Sequence, residues 1–266
     1  MLVDTLLLWL NVYLFDAGRY LFGAGLVSLV LFVFFRQFSK RYKIQTKQAS
    51  RADIKREITL SAQTIAVYAS VALVTIQMKS AGILTVYSDW SEYPLWYGAI
   101  SLPLILVLHD AYFYWVHRAI HHKTLFRKFH LAHHRSHTPT PWAAYAFAPG
   151  EAFMMTLIVP IVTFFLPMHH LVIFAFLTIM IVRNAMGHSG VEFHPRWWVD
   201  SKADFLTSVV HHDLHHQRAR GNYGLYFTWW DRWMGTEFAD YKERFREAAA
   251  PRNIEPAETA AEGSVA

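Results

Sequence analysis

Three groups of histidines are the residues in this sequence best suited to carry chemistry. They are His117-x-x-x-His121, His130-x-x-His133-His134 and His212-x-x-His215-His216. Residues three or four apart lie on one face of a helix, about 5 to 6 Å apart, so each group is predicted to aim two or three imidazoles at one point. Imidazoles that converge in this way suit iron, zinc, copper or nickel.

The number of these histidines indicates more than one metal ion. A structural zinc ion takes about four protein ligands and a catalytic one about three, so eight converging histidines predict two metals. A loose histidine-rich tract is the other interpretation, but such tracts are polar and irregular, whereas these groups lie in aromatic, helix-compatible sequence. His211 lies four residues before His215 and competes with His212 for a place in the third group. His212 is preferred because it repeats the register of the second group.

The composition indicates a membrane protein. Apolar residues make up 54% of the 266 residues and aromatic residues 16%, more than a soluble domain of this size usually carries. The net charge of +5 suits nucleic acid or an anionic bilayer, but the sequence has no nucleic-acid-binding motif, and its basic residues adjoin apolar segments. Cysteine is absent, which excludes disulfides and thiolate ligands, so any metal must bind through nitrogen or oxygen.

Apolar stretches near the length needed to cross a bilayer, about 20 residues, predict the membrane spans. They are Tyr20 to Phe35, Ile58 to Met78 and about Leu95 to Trp115. The earlier stretch Leu6 to Phe15 is cut off by Asp16 and Arg19, so it either extends the first helix or lies along the membrane interface.

The loop between the first two spans sets the predicted orientation. It holds eight basic residues against Asp53 and Glu57: Arg36, Lys40, Arg41, Lys43, Lys47, Arg51, Lys55 and Arg56. By the positive-inside rule this loop is cytoplasmic, and the third span then returns to that side with the first histidine group.

Two shorter apolar segments, Ala152 to Leu166 and Leu171 to Ala185, predict a helical hairpin that enters and leaves on the cytoplasmic side. This topology places His117, His188 and His216 on one face of the membrane. The predicted fold is all-α: an integral-membrane, multi-pass bundle of about three spans plus a hairpin, with a cytoplasmic histidine-rich helical cap.

Three regions are predicted along the chain. Residues 1–94 form the N-terminal transmembrane helices and the basic cytoplasmic loop, and residues 95–245 form the catalytic region with the histidine groups. Residues 246–266 are rich in Ala, Glu and Pro without apolar periodicity, which is typical of a disordered tail.

Several segments resemble the fatty acid hydroxylase superfamily, which includes sterol desaturases and C4-methyl sterol oxidases. They are DAYFYWVHRAIHH with FHLAHH, PTPWAAYAFAPGE, GHSGVE, HHDLHH and NYGLYFTWWDRWMGTE, in this order between Asp110 and Glu237. The resemblance covers roughly residues 95–241. It implies a di-iron centre at the cytoplasmic membrane face that caps a cavity for a lipid.

The resemblance also implies which residues hold the metals. Carried over one by one, the expected ligands are His117, His121, His130, His133, His134, His188, His212, His215 and His216. Spacing alone does not select His188. Asp110, seven residues before His117 and close to the same helix face, is expected to hold the distal nitrogen of a ligating histidine, or else to be a buried group paired with Arg or Tyr. Glu151 and Glu192 are expected to orient ligands or to begin helices.

The implied function is an O2-dependent oxidoreductase that hydroxylates or desaturates a lipid, whether a sterol, a fatty acyl chain or a related isoprenoid. Its cofactors would be two non-haem iron ions, which zinc can replace on purification. Expected partners are the lipid substrate, the membrane lipids and a separate electron donor, either ferredoxin-like or cytochrome b5-like with its reductase. The alternative is a histidine-rich membrane zinc transporter or zinc-binding protein. A transporter would place its ligands near the bilayer midplane, whereas these histidines follow the spans.

Overall fold

The computed structural model describes residues 2–252, and they are mostly helical with almost no strand, as predicted. The helices are α1 (Leu2–Leu29), α2 (Arg36–Arg41), α3 (Arg51–Ser80), α4 (Leu95–Ile120), α5 (Lys123–Phe129), α6 (Leu131–His134), α7 (Pro149–Thr156), α8 (Ile158–Phe165), α9 (His170–Gly187), α10 (Val209–Arg218), α11 (Trp229–Trp233) and α12 (Tyr241–Ala248). Two short strands, β1 (Val86–Tyr87) and β2 (Met168–His169), pair in parallel.

Within residues 2–252, four helices are long and apolar enough to cross a membrane. They are α1 with the π-helical turn that follows it (Leu2–Phe34), α3, α4 and α9, while α7 and α8 form a shorter apolar segment, Pro149–Phe165. Large apolar side chains such as Leu6, Phe22 and Phe165 are exposed on the outer faces of these helices. A surface of this kind suits hydrocarbon and would be a liability in water. The chain is therefore an integral membrane protein.

The stretch Leu6 to Phe15 extends the first helix, one of the two predicted outcomes. Helix α1 continues through Asp16 and Arg19 because both side chains turn inward, where Arg19 Nη2 lies 2.7 Å from Asp16 Oδ1. The inner face of α1 packs against α3 and α9 around Tyr20, Tyr68 and Ile181. The two charges that interrupt the apolar pattern therefore do not end the span.

The two ends of the bundle are distinct. At one end, β1 follows α3 and pairs with β2 at the tip of the hairpin, where His169 Nε2 binds the carbonyl of Ser88 at 3.0 Å. Helix α9 begins directly after β2 and ends just before His188. His169 and His170 are thus a full helix length away from His188 and lie outside the metal centre.

The other end of the bundle carries a cap built from α5, α6, α10 and α12 together with irregular segments. Ser208 begins α10 by accepting a hydrogen bond from the backbone N–H of His211. The loop after α2 contacts this cap. The backbone of Lys43 forms an antiparallel β-bridge with that of Val191, and Gln45 Nε2 donates to Asp213 Oδ1 at 2.8 Å. The basic loop and the histidine groups therefore lie at the same end of the bundle.

The last described helix crosses the boundary predicted between the catalytic region and the tail. Helix α12 reaches Ala248, a few residues into the region predicted as a tail, and it packs on the cap through Tyr241 and Phe245. Residues 253–266, the rest of the predicted tail, lie outside the described residues.

Candidate metal centre

The structure brings all nine sequence-predicted histidines together in two adjacent clusters. The first cluster holds His117, His121, His130, His134 and His215, and the second holds His133, His188, His212 and His216. Within each cluster the candidate ligand nitrogens all lie within 4.8 Å of one another. All nine side chains are buried except that of His121, which is half-buried.

The sequence groups are divided between the clusters. His130 and His134 face the first cluster while His133 faces the second; in α10, His212 and His216 face the second cluster while His215 faces the first. Side chains four residues apart share a helix face, whereas the intervening residue is turned away by about 60° to 100°. The prediction that each group aims at one point is therefore wrong for the second and third groups, which each supply both clusters.

Backbone carbonyls fix the tautomer of four cluster histidines. The Nδ1–H groups of His117, His121, His215 and His188 donate to the carbonyls of Tyr223, Ala219, Gly221 and Asn184, at 2.7 to 3.0 Å. A carbonyl oxygen can only accept, so the proton must lie on Nδ1, and Nε2 carries a lone pair. Each of these rings therefore presents an acceptor to the interior of its cluster.

These lone pairs meet one another at short range. Nε2 of His117 lies 3.0 Å from Nε2 of His130, and Nε2 of His134 lies 3.0 Å from Nε2 of His215. In the second cluster, Nε2 of His212 lies 3.0 Å from Nε2 of His188. Where both rings carry the proton on Nδ1, two acceptors face each other at this separation and repel unless a cation lies between them. The donor set fits a metal ion in each cluster, because neutral imidazoles with a fixed Nδ1 proton are the form that binds metals.

Burial keeps these imidazoles uncharged. Burial, together with the neighbouring imidazoles, lowers the pKa of His134 to about 3 and the pKa of His188 to about 4. The pKa of His121 falls to about 2 for the same two reasons. At neutral pH the cluster histidines are therefore ready to bind metal without first losing a proton.

Glu151 lies beside a histidine of the first cluster. Its carboxylate Oε1 lies 2.7 Å from Nδ1 of His130, and both side chains are fully buried. Glu192 instead supports the helix that carries the third group, since it accepts from the backbone N–H of Val210 at 2.9 Å and from His194.

A short segment, residues 219–224, orients three histidines of the first cluster through its carbonyls. We call it the carbonyl loop. Ala219 and Asn222 have positive φ angles of 55° and 53°, which turn successive carbonyls toward the histidines. A Cβ on Gly224 would lie 2.4 Å from the Phe227 carbonyl oxygen, so only glycine fits there.

Buried Asp231 holds the carbonyl loop in place. Its carboxylate accepts from the backbone N–H groups of Tyr223 at 2.9 Å and Gly224 at 2.8 Å, and from Thr236 Oγ1 at 2.7 Å. The sequence analysis missed both Asp231 and the loop, because backbone carbonyls leave no side-chain signature. The NYGLYF stretch ahead of Asp231 is the available signal.

Asp110 is a buried group, the second of its two predicted roles, although its partners are backbone N–H groups and an indole instead of an Arg or Tyr side chain. Its carboxylate accepts from the backbone N–H groups of Tyr226 at 2.8 Å and Phe227 at 3.2 Å, and from Trp229 Nε1 at 3.2 Å. The inward face of α4 meets the 226–229 segment at this level, so Asp110 positions the chain that follows the carbonyl loop and does not hold a histidine.

His211 lies outside both clusters. Its Nε2 faces Asp231 Oδ2 at 3.5 Å, and its ring packs edge-on against Tyr241. His212 lies in the second cluster instead. The geometry thus separates the two candidates that sequence spacing left open. His122 is exposed and bonded to Thr124, also away from the clusters.

An apolar cavity of about 700 Å³ lies between α1, α3, α4, α7, α8 and α9. Phe113 and Phe147 line the inner end of the cavity. The ring centroid of Phe113 lies 5.0 Å from that of His117, and the ring centroid of Phe147 lies 5.2 Å from that of His133. Phe15 and Phe174 also line the cavity, yet they are 58% and 45% exposed on the outer surface. One layer of side chains therefore separates the cavity from the surrounding lipid, and one ring separates it from each cluster.

The fold and site define a class: a multi-pass membrane protein with a double polyhistidine centre at the end of an apolar cavity. The fatty acid hydroxylase family profile matches residues 102–236, about half of the chain, and contains all nine cluster histidines. The chain belongs to this family.

Similar proteins include the delta(7)-sterol 5(6)-desaturase of Gibberella zeae, 31% identical over 84% of this chain and 68% of that protein. The human lathosterol oxidase is 28% identical over 71% of this chain and 62% of that protein. The rat methylsterol monooxygenase 1 is 30% identical over 60% of this chain and 55% of that protein. No solved structure matches. Because its family and these relatives are oxidoreductases, the chain is identified as an oxidoreductase.

Proposed function

We propose that this chain hydroxylates or desaturates a lipid with O2, using two iron ions held by the two histidine clusters. One observation carries the proposal: two sets of converging imidazole lone pairs lie one aromatic ring away from an apolar cavity within the membrane. The named relatives act on sterols, so the proposed substrate is a sterol, or a fatty acyl or isoprenoid lipid of similar character.

The nine cluster histidines would hold the metals, five at the first site and four at the second. Bound iron would supply the reduction of O2 and the oxidation of an unactivated C–H bond, which protein side chains cannot perform. Zinc could replace iron on purification, since imidazole binds both.

The chain's own residues orient the ligands, position the lipid and exclude water. Glu151 and the carbonyl loop hold the imidazoles in the metal-binding tautomer. Phe113 and Phe147 separate the clusters from the cavity and keep the inner end apolar, which holds water away from the reacting carbon. Hydroxylation and desaturation both begin with loss of hydrogen from a C–H bond, so the position of the lipid against these rings would select the product.

Each turnover needs two electrons from outside the lipid. We propose a separate ferredoxin-like or cytochrome b5-like donor with its reductase. Such a donor would approach the cap, because the cap carries the clusters at the end of the bundle.

We propose that the clusters lie on the cytoplasmic face. The basic segment 36–57 supports this orientation. The structure divides it among α2, the loop after α2 and the start of α3, and it contacts the cap through Lys43 and Gln45. Arg56 adds a third contact by donating to the carbonyl of Arg135 at 3.2 Å. By the positive-inside rule the side of the membrane that holds this segment is the cytoplasm.

A zinc transporter is the rival function, and the placement of the ligands disfavours it. Transport requires ligands along a path through the spans. Here His117 lies in the last turn of α4 and His188 just beyond α9, and the remaining cluster histidines belong to the cap or its border with α4.

Lipid oxidation by the purified chain tests the proposal. The full-length protein in lipid nanodiscs, loaded with ferrous iron, is given a chemical reductant, O2 and a membrane lipid extract that contains sterols. We expect one lipid class to gain one oxygen or lose two hydrogens by mass spectrometry. His133→Ala and His215→Ala, one in each cluster, should abolish the change, while His122→Ala should preserve it. Unchanged lipids with the iron-loaded protein, or equal oxidation by all variants, would refute the proposal.

A further inference from the structure

The spanning helix α1 carries a buried ion pair that the metal centre does not use. Asp16 and Arg19 are each 8% exposed, and they lie in the middle of the Leu2–Phe34 span. With a rise of about 1.5 Å per residue, they stand roughly 20 Å or more from either end of that helix. Ionisable residues at such a depth are costly and usually mark a functional site.

The hydrogen bonding of this pair is incomplete. Arg19 Nη2 donates to Asp16 Oδ1 at 2.7 Å, but Arg19 Nε and Nη1 have no partner within residues 2–252. The hydroxyl of Tyr145 is buried beside Arg19, whose guanidinium interacts with its oxygen, and its own O–H has no acceptor there. Buried polar groups of purely structural pairs are normally satisfied. Three donors are therefore available to a ligand.

The residues that carry these donors line the lipid cavity near its metal end. Asp16, Arg19 and Tyr145 all line the cavity. The ring centroid of Tyr145 lies 6.4 Å from that of Phe147, which in turn lies 5.2 Å from His133. A molecule bound to the polar cluster would therefore have its neighbouring carbons close to the second histidine cluster.

We propose that Arg19 and Tyr145 bind an uncharged oxygen, a hydroxyl or a carbonyl, on the lipid that fills the cavity. The free groups are all N–H or O–H donors, so the ligand must supply an acceptor. Arg19 and Asp16 have opposite charges that cancel, so a carboxylate or phosphate would bring an unbalanced negative charge into a low-dielectric site. The inference rests on the proposed lipid substrate and narrows it to lipids with a single neutral polar end.

Binding of matched probes tests the inference without requiring turnover. Native mass spectrometry of the metal-loaded full chain would compare cholestane, cholestanol and cholestanone, which share one skeleton and differ only in the oxygen. Octadecane, octadecanol and octadecanoic acid form a second set on a linear chain. We expect the alcohol and the ketone to bind about tenfold or more tightly than the hydrocarbon of the same skeleton, and the acid to bind less tightly than the alcohol.

Two variants probe the donors. Asp16→Leu combined with Arg19→Met removes both charges at once, so that no unpaired charge remains, and should abolish the preference while leaving cholestane binding unchanged. Tyr145→Phe keeps the ring and should reduce the preference severalfold, which provides a test if the double variant does not fold. Ser70→Ala is the control, because it removes the Trp9 hydrogen bond between α1 and α3 outside the cavity, and it should retain the full preference.

Equal binding of cholestane, cholestanol and cholestanone to the wild-type chain would overturn the inference. So would a preference that survives in both the double variant and Tyr145→Phe, or tighter binding of octadecanoic acid than of octadecanol. Failure of the proposed function has a different signature: oxygenated probes bind selectively, yet the iron-loaded protein with reductant and O2 oxidises no lipid.

Discussion

Replacing Asp231 with asparagine should weaken metal binding at the first cluster alone. The Asp231 carboxylate accepts two backbone N–H groups of the carbonyl loop, at 2.9 Å and 2.8 Å. That loop in turn holds the Nδ1 protons of His117, His121 and His215. In the second cluster His188 is held by Asn184 of α9 instead, so the substitution acts on one cluster.

The size of the effect follows from the geometry. Asparagine keeps one acceptor oxygen but presents an NH2 group to one of the two backbone N–H groups, which then faces a donor. A buried hydrogen bond to a charged group is worth about 1.5 to 3 kcal/mol. If this free energy is lost from the orientation of the ligands, the affinity of the first cluster for its metal falls by about 10 to 100-fold. That is the range typical of groups that orient metal ligands.

Competition with a chelator measures the change. Graded amounts of a metal chelator are equilibrated with the loaded protein, and the metal retained per chain is read by elemental analysis. We expect the wild-type chain to release its two metals over one range, and Asp231→Asn to release one metal at about 10 to 100-fold lower chelator activity. Asp240→Asn is the control, since it breaks only an exposed pair with Arg218 near the end of α10, and it should match the wild type. Equal weakening of both metals in Asp231→Asn, or no weakening, would refute the reasoning.

Three further changes have distinct expected outcomes. Glu151→Gln keeps an acceptor 2.7 Å from His130 Nδ1 and should retain most of the metal. Glu151→Ala removes that acceptor and should lower the metal affinity of the first cluster by about tenfold. Elemental analysis of the metal retained by each variant distinguishes the two outcomes. His212→Ala should lower the metal content of the second cluster and His211→Ala should not, because only His212 belongs to that cluster; equal losses would contradict this assignment. Ala72→Phe fills part of the cavity and should reduce lipid oxidation severalfold at unchanged metal content, measured by product mass; undiminished oxidation would place the substrate elsewhere.

The sequence allowed the histidine groups to be found because helix geometry fixes which residues share a face. Spacing did not divide the groups between two clusters, since His133 and His134 are adjacent and their separation depends on how α6 meets α10. His188 is a lone histidine, and only the resemblance of the GHSGVE segment pointed to it. Its position at the end of α9 became clear from the fold.

Tertiary contacts explain what the sequence analysis missed. Asp110 shares the helix face of His117, yet the 226–229 segment reaches it first. The carbonyl loop acts through backbone oxygens, which every residue possesses. Asp16 and Arg19 interrupt the apolar pattern of the first helix, but they form an ion pair inside the bundle, so the span continues through them.

Iron analysis of the purified chain tests the central claim most directly. The full-length protein, purified without chelator and reconstituted with ferrous iron, should bind two iron ions per chain. The His133→Ala, His188→Ala double variant should bind one, because it removes two of the four ligands at the second cluster and none at the first. A single iron ion in the wild-type chain, or two in the double variant, would contradict the assignment of one metal to each cluster.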